Sequence, residues 1–255
     1  MNIRSDWHIH TRHSDGQMTM RDLAAHAEQL GLARFGVSDH MNRMENLGGL
    51  ERSREAYLAV LAENPALRGR FFFGVELTVF LSPAGQPAVA ADRAFLDAVG
   101  VGYVIAGAHG PLCKSNDRDA LIEDDHRQNM FLATLPGVNI LAHYLWWGTR
   151  RKPENPFADF SKIPRSMREE LAHALKENHC AFELNIEAIL LHPELSERFK
   201  CDYLEYAAQL QSMGVKLSTG SDCHFSLADI DYEEAARMIA AAGIDLSVNM
   251  FDISN

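Results

Sequence analysis

The stretch DWHIHT, residues 6–11, places a carboxylate and two imidazoles at alternate positions close to the start of the chain. Alternate side chains of a β-strand share one face, so Asp6, His8 and His10 are expected to point the same way. The apolar side chains between them are strand formers that would pack on the opposite face. Because imidazole and carboxylate are standard ligands of zinc, manganese and iron, the stretch predicts a strand that leads into a metal site.

Residues of the same chemical type recur at the ends of apolar, strand-like runs along the whole chain. Glu76 follows the run 71–75, and His109 follows the run 102–108. The carboxyl ends of parallel strands meet at one edge of a sheet, so side chains at these positions are expected to converge. The polar residues at such ends are Asp39, His40, Glu76, His109, His143, Glu183, Asn185, Asp222 and His224.

Helical patterns alternate with the strand-like runs and predict the fold. They cover residues 19–30, 50–63, 91–99, 122–135, 165–178, 197–213 and 227–242. Strands that alternate with helices, without a separating linker, are typical of an α/β protein with a parallel sheet. Seven or eight such units in 255 residues predict a barrel, with residues 1–255 forming a single domain. The loops expected over the site are 110–121, 144–163 and 186–196.

Composition excludes some classes of partner. The formal net charge of −11 disfavours a surface for long nucleic acid, which needs clustered lysine and arginine. No apolar run is long enough to span a membrane, and the first residues lack the apolar core of a signal peptide. The four cysteines form no Cys-x-x-Cys pair, so a cytoplasmic protein with free thiols is expected. The oligomeric state stays open.

The ordered set of motifs resembles the PHP (polymerase and histidinol phosphatase) family of metal-dependent phosphoesterases. The motifs occur in the family's order and span nearly the whole chain. They are Asp6-x-His8-x-His10-Thr11, Ser14-Asp15-Gly16, Ser38-Asp39-His40, Gly74-Val75-Glu76, Gly107-Ala108-His109, Leu141-Ala142-His143 and Gly220-Ser221-Asp222-Cys223-His224. The resemblance implies a distorted (β/α)7-type TIM-like barrel with its metal site at the C-terminal ends of the strands.

The resemblance also implies up to three divalent metal ions, which would be zinc, manganese or iron. By similarity, the ligands would be His8, His10, Glu76 and Asp222 for the first ion, Glu76, His109 and His143 for the second, and Asp15, His40 and His224 for the third. Two departures leave the substrate open. His143 precedes Tyr144 rather than proline, and His109 lacks the Ser-Val-His context associated with histidinol-phosphate phosphatases.

Such a centre predicts a hydrolase of a small phosphate ester. Clustered divalent ions can activate a hydroxide and stabilise charge on the phosphoryl and leaving groups, with Glu76 and Asp222 as catalytic ligands. His13 flanks Asp15 and is a candidate proton donor. Three alternatives remain: a histidinol-phosphate phosphatase specifically, an amidohydrolase-like hydrolase of a non-phosphate bond, and a non-catalytic domain that assists a polymerase. No obvious lysine ends a middle strand to bridge metals in the amidohydrolase manner.

The expected partner is a small phosphorylated substrate, and several groups could bind it. Arg150 and Arg151 follow His143 in a loop that also contains Trp147, and Arg43 follows His40. Cationic and aromatic groups together suit an anionic, partly flat ligand. A solvated basic turn packed down by tryptophans explains the same loop equally well. For Asp6, Glu183 and Asn185, orientation of a ligand histidine and simple strand support are both open.

Overall fold

A computed structural model of the chain describes residues 3–149, 157 and 159–253. Seven parallel strands form the main sheet, in the order β1-β2-β3-β6-β7-β8-β9. Their bounds are β1 Ser5–Asp6, β2 Arg34–Val37, β3 Phe71–Thr78, β6 Tyr103–Gly107, β7 Ile140–Leu141, β8 Ala181–Asn185 and β9 Leu217–Gly220. A short antiparallel hairpin, β4 (Phe80–Leu81) with β5 (Pro87–Ala88), follows β3.

The first and last strands lie side by side and close the sheet into a barrel. Trp7 N donates to Thr219 O at 3.0 Å, and beyond the strands Asp222 N donates to His8 O at 2.7 Å. His10 N donates to Cys223 O at 3.0 Å, which extends this seam towards the C-terminal ends of the strands. The predicted distorted (β/α)7-type barrel is therefore confirmed, with one strand fewer than the standard eight.

The helices lie between the strands, as the alternating pattern predicted. Their bounds are α1 Met20–Gln29, α2 Leu47–Glu63, α3 Arg93–Ala98, α4 Arg118–Thr134, α5 Trp146–Thr149, α6 Arg165–Glu177, α7 Glu197–Ser212 and α8 Tyr232–Ala241. The Thr19 side chain caps α1 in a reciprocal arrangement with Asp22. The predicted helix 227–242 is divided: a 3₁₀ turn occupies Leu227–Asp229, and α8 begins after Asp231 caps it.

The barrel interior is apolar at the end where the strands begin. Trp7 packs there against Tyr103 and Phe251, with ring centroids 5.5 and 5.3 Å away. The Tyr103 hydroxyl donates to Trp7 O at 2.7 Å, which satisfies the one polar atom of a fully buried ring. Aromatic side chains therefore fill the interior at this end, and Trp7 lies among them rather than on the face opposite His8 and His10 that the alternating pattern predicted. No helix in the described ranges is long and apolar enough to cross a bilayer.

Candidate metal site

The nine predicted metal ligands converge at the C-terminal mouth of the barrel. Glu76 lies near the end of β3, and each of the others lies in a segment that follows a strand. The backbone seam between β1 and β9 brings the two ends of the chain together. Three groups of potential metal donors are found there, and the donor atoms within each group lie within 4.8 Å of one another. The groups are His8 with His10 and Glu76, His40 with Glu76 and His109, and His10 with Asp15, His40 and His224.

Four donor atoms lie close together at the centre of the mouth. His8 Nε2 lies 3.1 Å from His10 Nε2. Glu76 Oε2 is 3.3 Å from His8 Nε2 and 3.4 Å from His10 Nε2. Asp222 Oδ1 is 3.4 and 3.3 Å from the same two nitrogens. Metal–ligand bonds of about 2.0–2.1 Å in a tetrahedron give edges of about 3.3–3.4 Å, so the spacing of His8, His10 and Glu76 fits three ligands of one zinc-sized ion, with Asp222 Oδ1 beside the two imidazoles.

The second oxygen of Glu76 faces a different pair of imidazoles. Glu76 Oε1 lies 3.1 Å from His109 Nε2 and 3.0 Å from His143 Nε2. Burial raises the pKa of the Glu76 carboxyl. The nearby charges of His40, His8 and His109 lower it by a larger amount, so the pKa lies well below its usual range. The two oxygens of one buried carboxylate therefore serve two groups of nitrogens, which is the geometry that a bridging ligand needs.

Asp15 lies at the outer edge of the cluster. Its carboxylate is 3.4 Å from His40 Nε2 and 3.4 Å from His224 Nε2, and His10 Nδ1 lies 3.8 Å away. Partial burial raises the pKa of Asp15, but hydrogen bonds with His224 and His40 outweigh it, so the pKa lies below the usual value. His40 also reaches inward, with Nδ1 2.9 Å from Glu76 Oε2. The outer group is thus continuous with the central one.

Glu183 orients two of the predicted ligands. Its Oε1 lies 2.6 Å from His8 Nδ1, which leaves His8 Nε2 facing the cluster. Its Oε2 accepts from the backbone N–H of His143 at 2.7 Å and from Asn185 Nδ2 at 3.0 Å. A carboxylate behind a ligating imidazole fixes both tautomer and ring orientation. The contacts favour the orienting interpretation of Glu183 and Asn185 over simple strand support.

Asp6, in contrast, supports the backbone rather than a ligand side chain. Its Oδ1 accepts from Ser221 N at 2.9 Å and from His8 N at 3.2 Å. Its Oδ2 accepts from the Tyr232 hydroxyl at 2.5 Å. Asp6 therefore joins the first strand to the segment that carries Asp222.

The backbone around the cluster adopts conformations that side chains rarely tolerate. His143 has φ of +30° and Asp222 has φ of +59°. Two glycines make room for the same groups: a Cβ at Gly107 would lie 2.3 Å from His143 Cε1, and one at Gly220 would lie 2.3 Å from Glu183 Oε1. Such strained and crowded backbone is concentrated where function needs a fixed geometry.

A cavity of about 460 Å³ opens above the cluster. Its lining residues are Asp15, Gln17, His40, His109, Trp146, Glu187, Ala188, His192, Asp222, His224 and Phe225. Sequence reasoning placed the loops 144–163 and 186–196 over the site, and both contribute. It did not single out Trp146, Glu187 or Thr78, whose hydroxyl lies 2.9 Å from His109 Nδ1. Thr78 is two residues after Glu76 in β3 and so shares its face, a signal that was present in the sequence.

The residues expected to contact substrate fare differently from the ligands. Trp147 is buried, with its Nε1 donating to Asp125 Oδ1 at 2.7 Å, so it is Trp146 that lines the cavity instead. Arg43 is exposed and His13 is half-buried, and neither belongs to the cavity lining. Arg150 and Arg151 lie outside the described residues.

Comparison with known proteins agrees with the fold and the motif order. The family model of the PHP domain matches residues 6–187. A protein of Vibrio vulnificus (strain YJ016) named as a probable phosphatase is 25% identical over 251 residues, which cover 96% of this chain and 87% of the relative. A second probable phosphatase, from strain CMCP6, is 24% identical over 251 residues, with the same coverage of both chains.

A solved structure shares the whole fold. The crystal structure of histidinol phosphate phosphatase from Lactococcus lactis subsp. lactis Il1403, complexed with zinc, L-histidinol and phosphate, superposes with a TM-score of 0.68. The match covers 95% of each chain at 17% sequence identity, a likeness that shows a common fold.

Proposed function

We infer, from the premise that the chain belongs to the PHP domain family, that it is a metal-dependent phosphatase acting on a small phosphorylated substrate. The observation that carries this inference is the group of His8, His10 and Glu76, whose donor atoms are spaced as three ligands of one cation, with Asp222 Oδ1 beside both imidazoles. The names of the two Vibrio relatives, and the zinc and phosphate of the Lactococcus enzyme, support the same activity.

The chemistry of the buried atoms supports cation binding over a hydrogen-bonded network. Glu76 Oε2 is buried and lies 2.9, 3.3 and 3.4 Å from nitrogens of His40, His8 and His10, yet none of the described residues makes a well-aligned hydrogen bond to it, although buried polar atoms are nearly always paired. His10 Nδ1 and His40 Nδ1 share this condition. A buried carboxylate oxygen that lies among several imidazole nitrogens, without a well-aligned hydrogen bond from the described residues, suits a divalent ion.

We propose a multinuclear centre of up to three ions, zinc, manganese or iron, with Glu76 bridging the first two. The remaining ligands would be His8, His10 and Asp222 for the first ion, His109 and His143 for the second, and Asp15, His40 and His224 for the third. Bound divalent ions would supply an activated water for attack on phosphorus and positive charge to offset the phosphoryl oxygens. Glu76 and Asp222 would act in catalysis as the carboxylates that place this chemistry at the floor of the cavity.

The cavity lining indicates what the rest of the chain contributes. Its volume of about 460 Å³ lies within the usual range for a small-molecule site, which is about 300–1,000 Å³. His192 lines the cavity but is outside the predicted ligand set, so it replaces His13 as the candidate proton donor to the leaving group. Trp146 would contact the non-phosphate part of the substrate, since its ring lies beside His143 and His109.

The alternatives are weaker on the described residues. A histidinol-phosphate phosphatase is a narrower form of the same proposal, and the fold likeness alone does not select it. An amidohydrolase-like centre needs a lysine between its metals, and none of the described residues that line the cavity is a lysine. Glu76 occupies the bridging position instead.

The direct test is to purify the protein with its metals, measure them, and screen phosphomonoesters and phosphodiesters with added manganese, zinc or iron. Glu76→Ala should abolish hydrolysis and remove more than one equivalent of metal, because both ions lose the same ligand. Glu55→Gln on the exposed surface of α2 is the control and should change neither. A Glu76→Ala protein with full activity and full metal content would refute the bridging role, and a wild type without phosphatase activity would refute the function.

A further inference from the structure

Two adjacent aspartates of α4 are buried behind the candidate metal site. Asp124 and Asp125 are only 3% and 1% exposed, and neither belongs to the predicted ligand set. Burying a carboxylate costs free energy unless specific partners offset it. Burial raises the pKa of Asp125 to about 7, which shows that its surroundings oppose the charge. The presence of both residues in the core therefore needs a reason other than packing.

Asp125 fixes the loop that carries His143. Its Oδ1 accepts from Trp147 Nε1 at 2.7 Å, and its Oδ2 accepts from Asn129 Nδ2 at 2.8 Å. Between β7 and α5 the backbone has φ of +30° at His143 and +68° at Leu145. Such conformations persist only where the surrounding structure holds them. The hydrogen bond from Trp147 provides a fixed point at the far end of this strained segment.

The hydrogen bond of Trp147 also restricts two predicted ligands, His143 and His109, through the neighbouring Trp146. The ring of Trp146 lies 5.1 Å from that of His143 and 5.9 Å from that of His109, measured between centroids. Trp146 and Trp147 belong to the same short helix, α5, so an anchor on one restricts the other. The ring of Trp146 thereby limits the rotation of both imidazoles.

Asp124 fixes the loop that follows His109 in the same manner. Its Oδ2 accepts from Leu112 N at 2.7 Å and from Gln128 Nε2 at 3.0 Å. The same Gln128 nitrogen donates to Gly110 O at 3.0 Å. Two residues of the loop after β6, Gly110 and Leu112, are therefore tied to α4 within one turn of the tie to the β7 loop.

We propose that Asp124 and Asp125 are positioning residues, which fix the loops after His109 and His143 relative to each other. They would thereby set the affinity for the cation that these histidines would share with Glu76. The inference rests on the proposed metal-dependent function. Neither aspartate touches the reacting groups; each acts through backbone and indole N–H donors of the loops. One helix thus aligns ligands from two strands, which neither loop could do alone.

The test is a zinc titration of the metal-free protein that is monitored by tryptophan fluorescence, because Trp146 lies against both imidazoles. Asp125→Ala should lower the zinc affinity of the binding phase assigned to this cation by about tenfold or more. This is the range found when a hydrogen-bond partner behind a metal ligand is removed. Asp125→Asn retains an oxygen acceptor for Trp147 Nε1 and should restore most of the affinity. Asp119→Ala, an exposed residue of the same helix, is the matched control and should bind as wild type.

Should Asp125→Ala fail to fold, Trp147→Phe removes the same hydrogen bond and should weaken binding similarly. A role in stability alone would lower the melting temperature of the folded variant and leave its zinc affinity unchanged, which would overturn the proposal. Equal weakening in Asp119→Ala would overturn it as well. A wild type that binds no zinc, manganese or iron would refute both the proposed function and this inference, whereas wild-type binding with unaltered variants would refute only the inference.

Discussion

Replacing Glu183 by glutamine should disable the metal site while changing a single atom. Glu183 accepts three hydrogen bonds, from His8 Nδ1, His143 N and Asn185 Nδ2, at 2.6, 2.7 and 3.0 Å. An amide can satisfy only one side of this arrangement. If its oxygen faces His8, its NH₂ group meets the two other donors. If the amide is reversed, His8 must carry its proton on Nε2, the nitrogen that faces Glu76 and Asp222.

The magnitude follows from these two orientations. In the first, two buried donors lose their acceptor, at about 1–3 kcal/mol each, so the free energy of unfolding should fall by about 2–6 kcal/mol. In the second, the protonated nitrogen cannot ligate, and the metal affinity falls by the 10- to 100-fold or so typical of lost orienting partners. Loss of the Glu183 charge should also lower the pKa of His8. Burial lowers that pKa, but Glu183, Asp222 and Glu76 together raise it well above its usual value.

The assay is calorimetric zinc titration together with urea unfolding of the metal-free protein. Glu177→Gln, an exposed residue at the end of α6, controls for the loss of one negative charge. We expect Glu183→Gln to lose both affinity and stability and Glu177→Gln to lose neither. Wild-type zinc affinity and stoichiometry in Glu183→Gln would show that His8 needs no carboxylate behind it and would refute the reasoning.

Three further predictions test the cavity, the buried acid and the crowded backbone. Gly220→Ala should reduce zinc binding and stability, since its Cβ would lie 2.3 Å from Glu183 Oε1; Gly110→Ala, with nothing within 4 Å, should not, and equal effects would contradict this reason. Burial raises the folded-state pKa of Asp125 to about 7, against an ordinary 3.8. Its protonated form therefore stabilises the fold fully below pH 4, and about 4 kcal/mol of the free energy of unfolding is lost as the pH rises to 7. Urea unfolding of the metal-free protein at pH 5 and 8 should therefore show a steeper loss in wild type than in Asp125→Asn, and equal slopes would exclude a buried carboxyl with this pKa. Glu187 is half-buried in the cavity wall, and Glu187→Gln should lower kcat/KM for amine-bearing phosphate esters relative to neutral ones by about tenfold, whereas an unchanged ratio would exclude contact with the leaving group.

The convergence of the candidate ligands could be predicted because it depends mainly on strand direction. His8 and His10 share a face by the two-residue period of extended chain, and Glu76 and His109 follow parallel neighbours, β3 and β6. Parallel pairing sends every strand end to the same mouth, so position in the sequence was enough to place these side chains.

The cavity wall could not be predicted because it depends on loop conformation. Trp146 and Trp147 are adjacent and chemically equal in the sequence, and the positive φ at His143 and Leu145 decides which one faces the cavity. The left-handed turn has no signature here, since neither position is glycine. The π-helical turn Ile186–Leu190, which carries Glu187, likewise lacks a distinguishing pattern.

The seam between the first and last strands has a consequence for the order of events during synthesis. His8 and Ser221 are 213 residues apart, yet the Ser221 hydroxyl donates to His8 O at 3.2 Å, beside Asp222. A nascent chain emerges from its N-terminus at about 5–20 residues per second, so the first histidines wait for many seconds before the last carboxylate exists. During that interval the proposed cation site lacks Asp222 and the seam that joins His8 to the last strand. Under the proposed assignment, selection of the cation belongs to the finished polypeptide, and ribosome-bound fragments should hold metals loosely and exchange them freely.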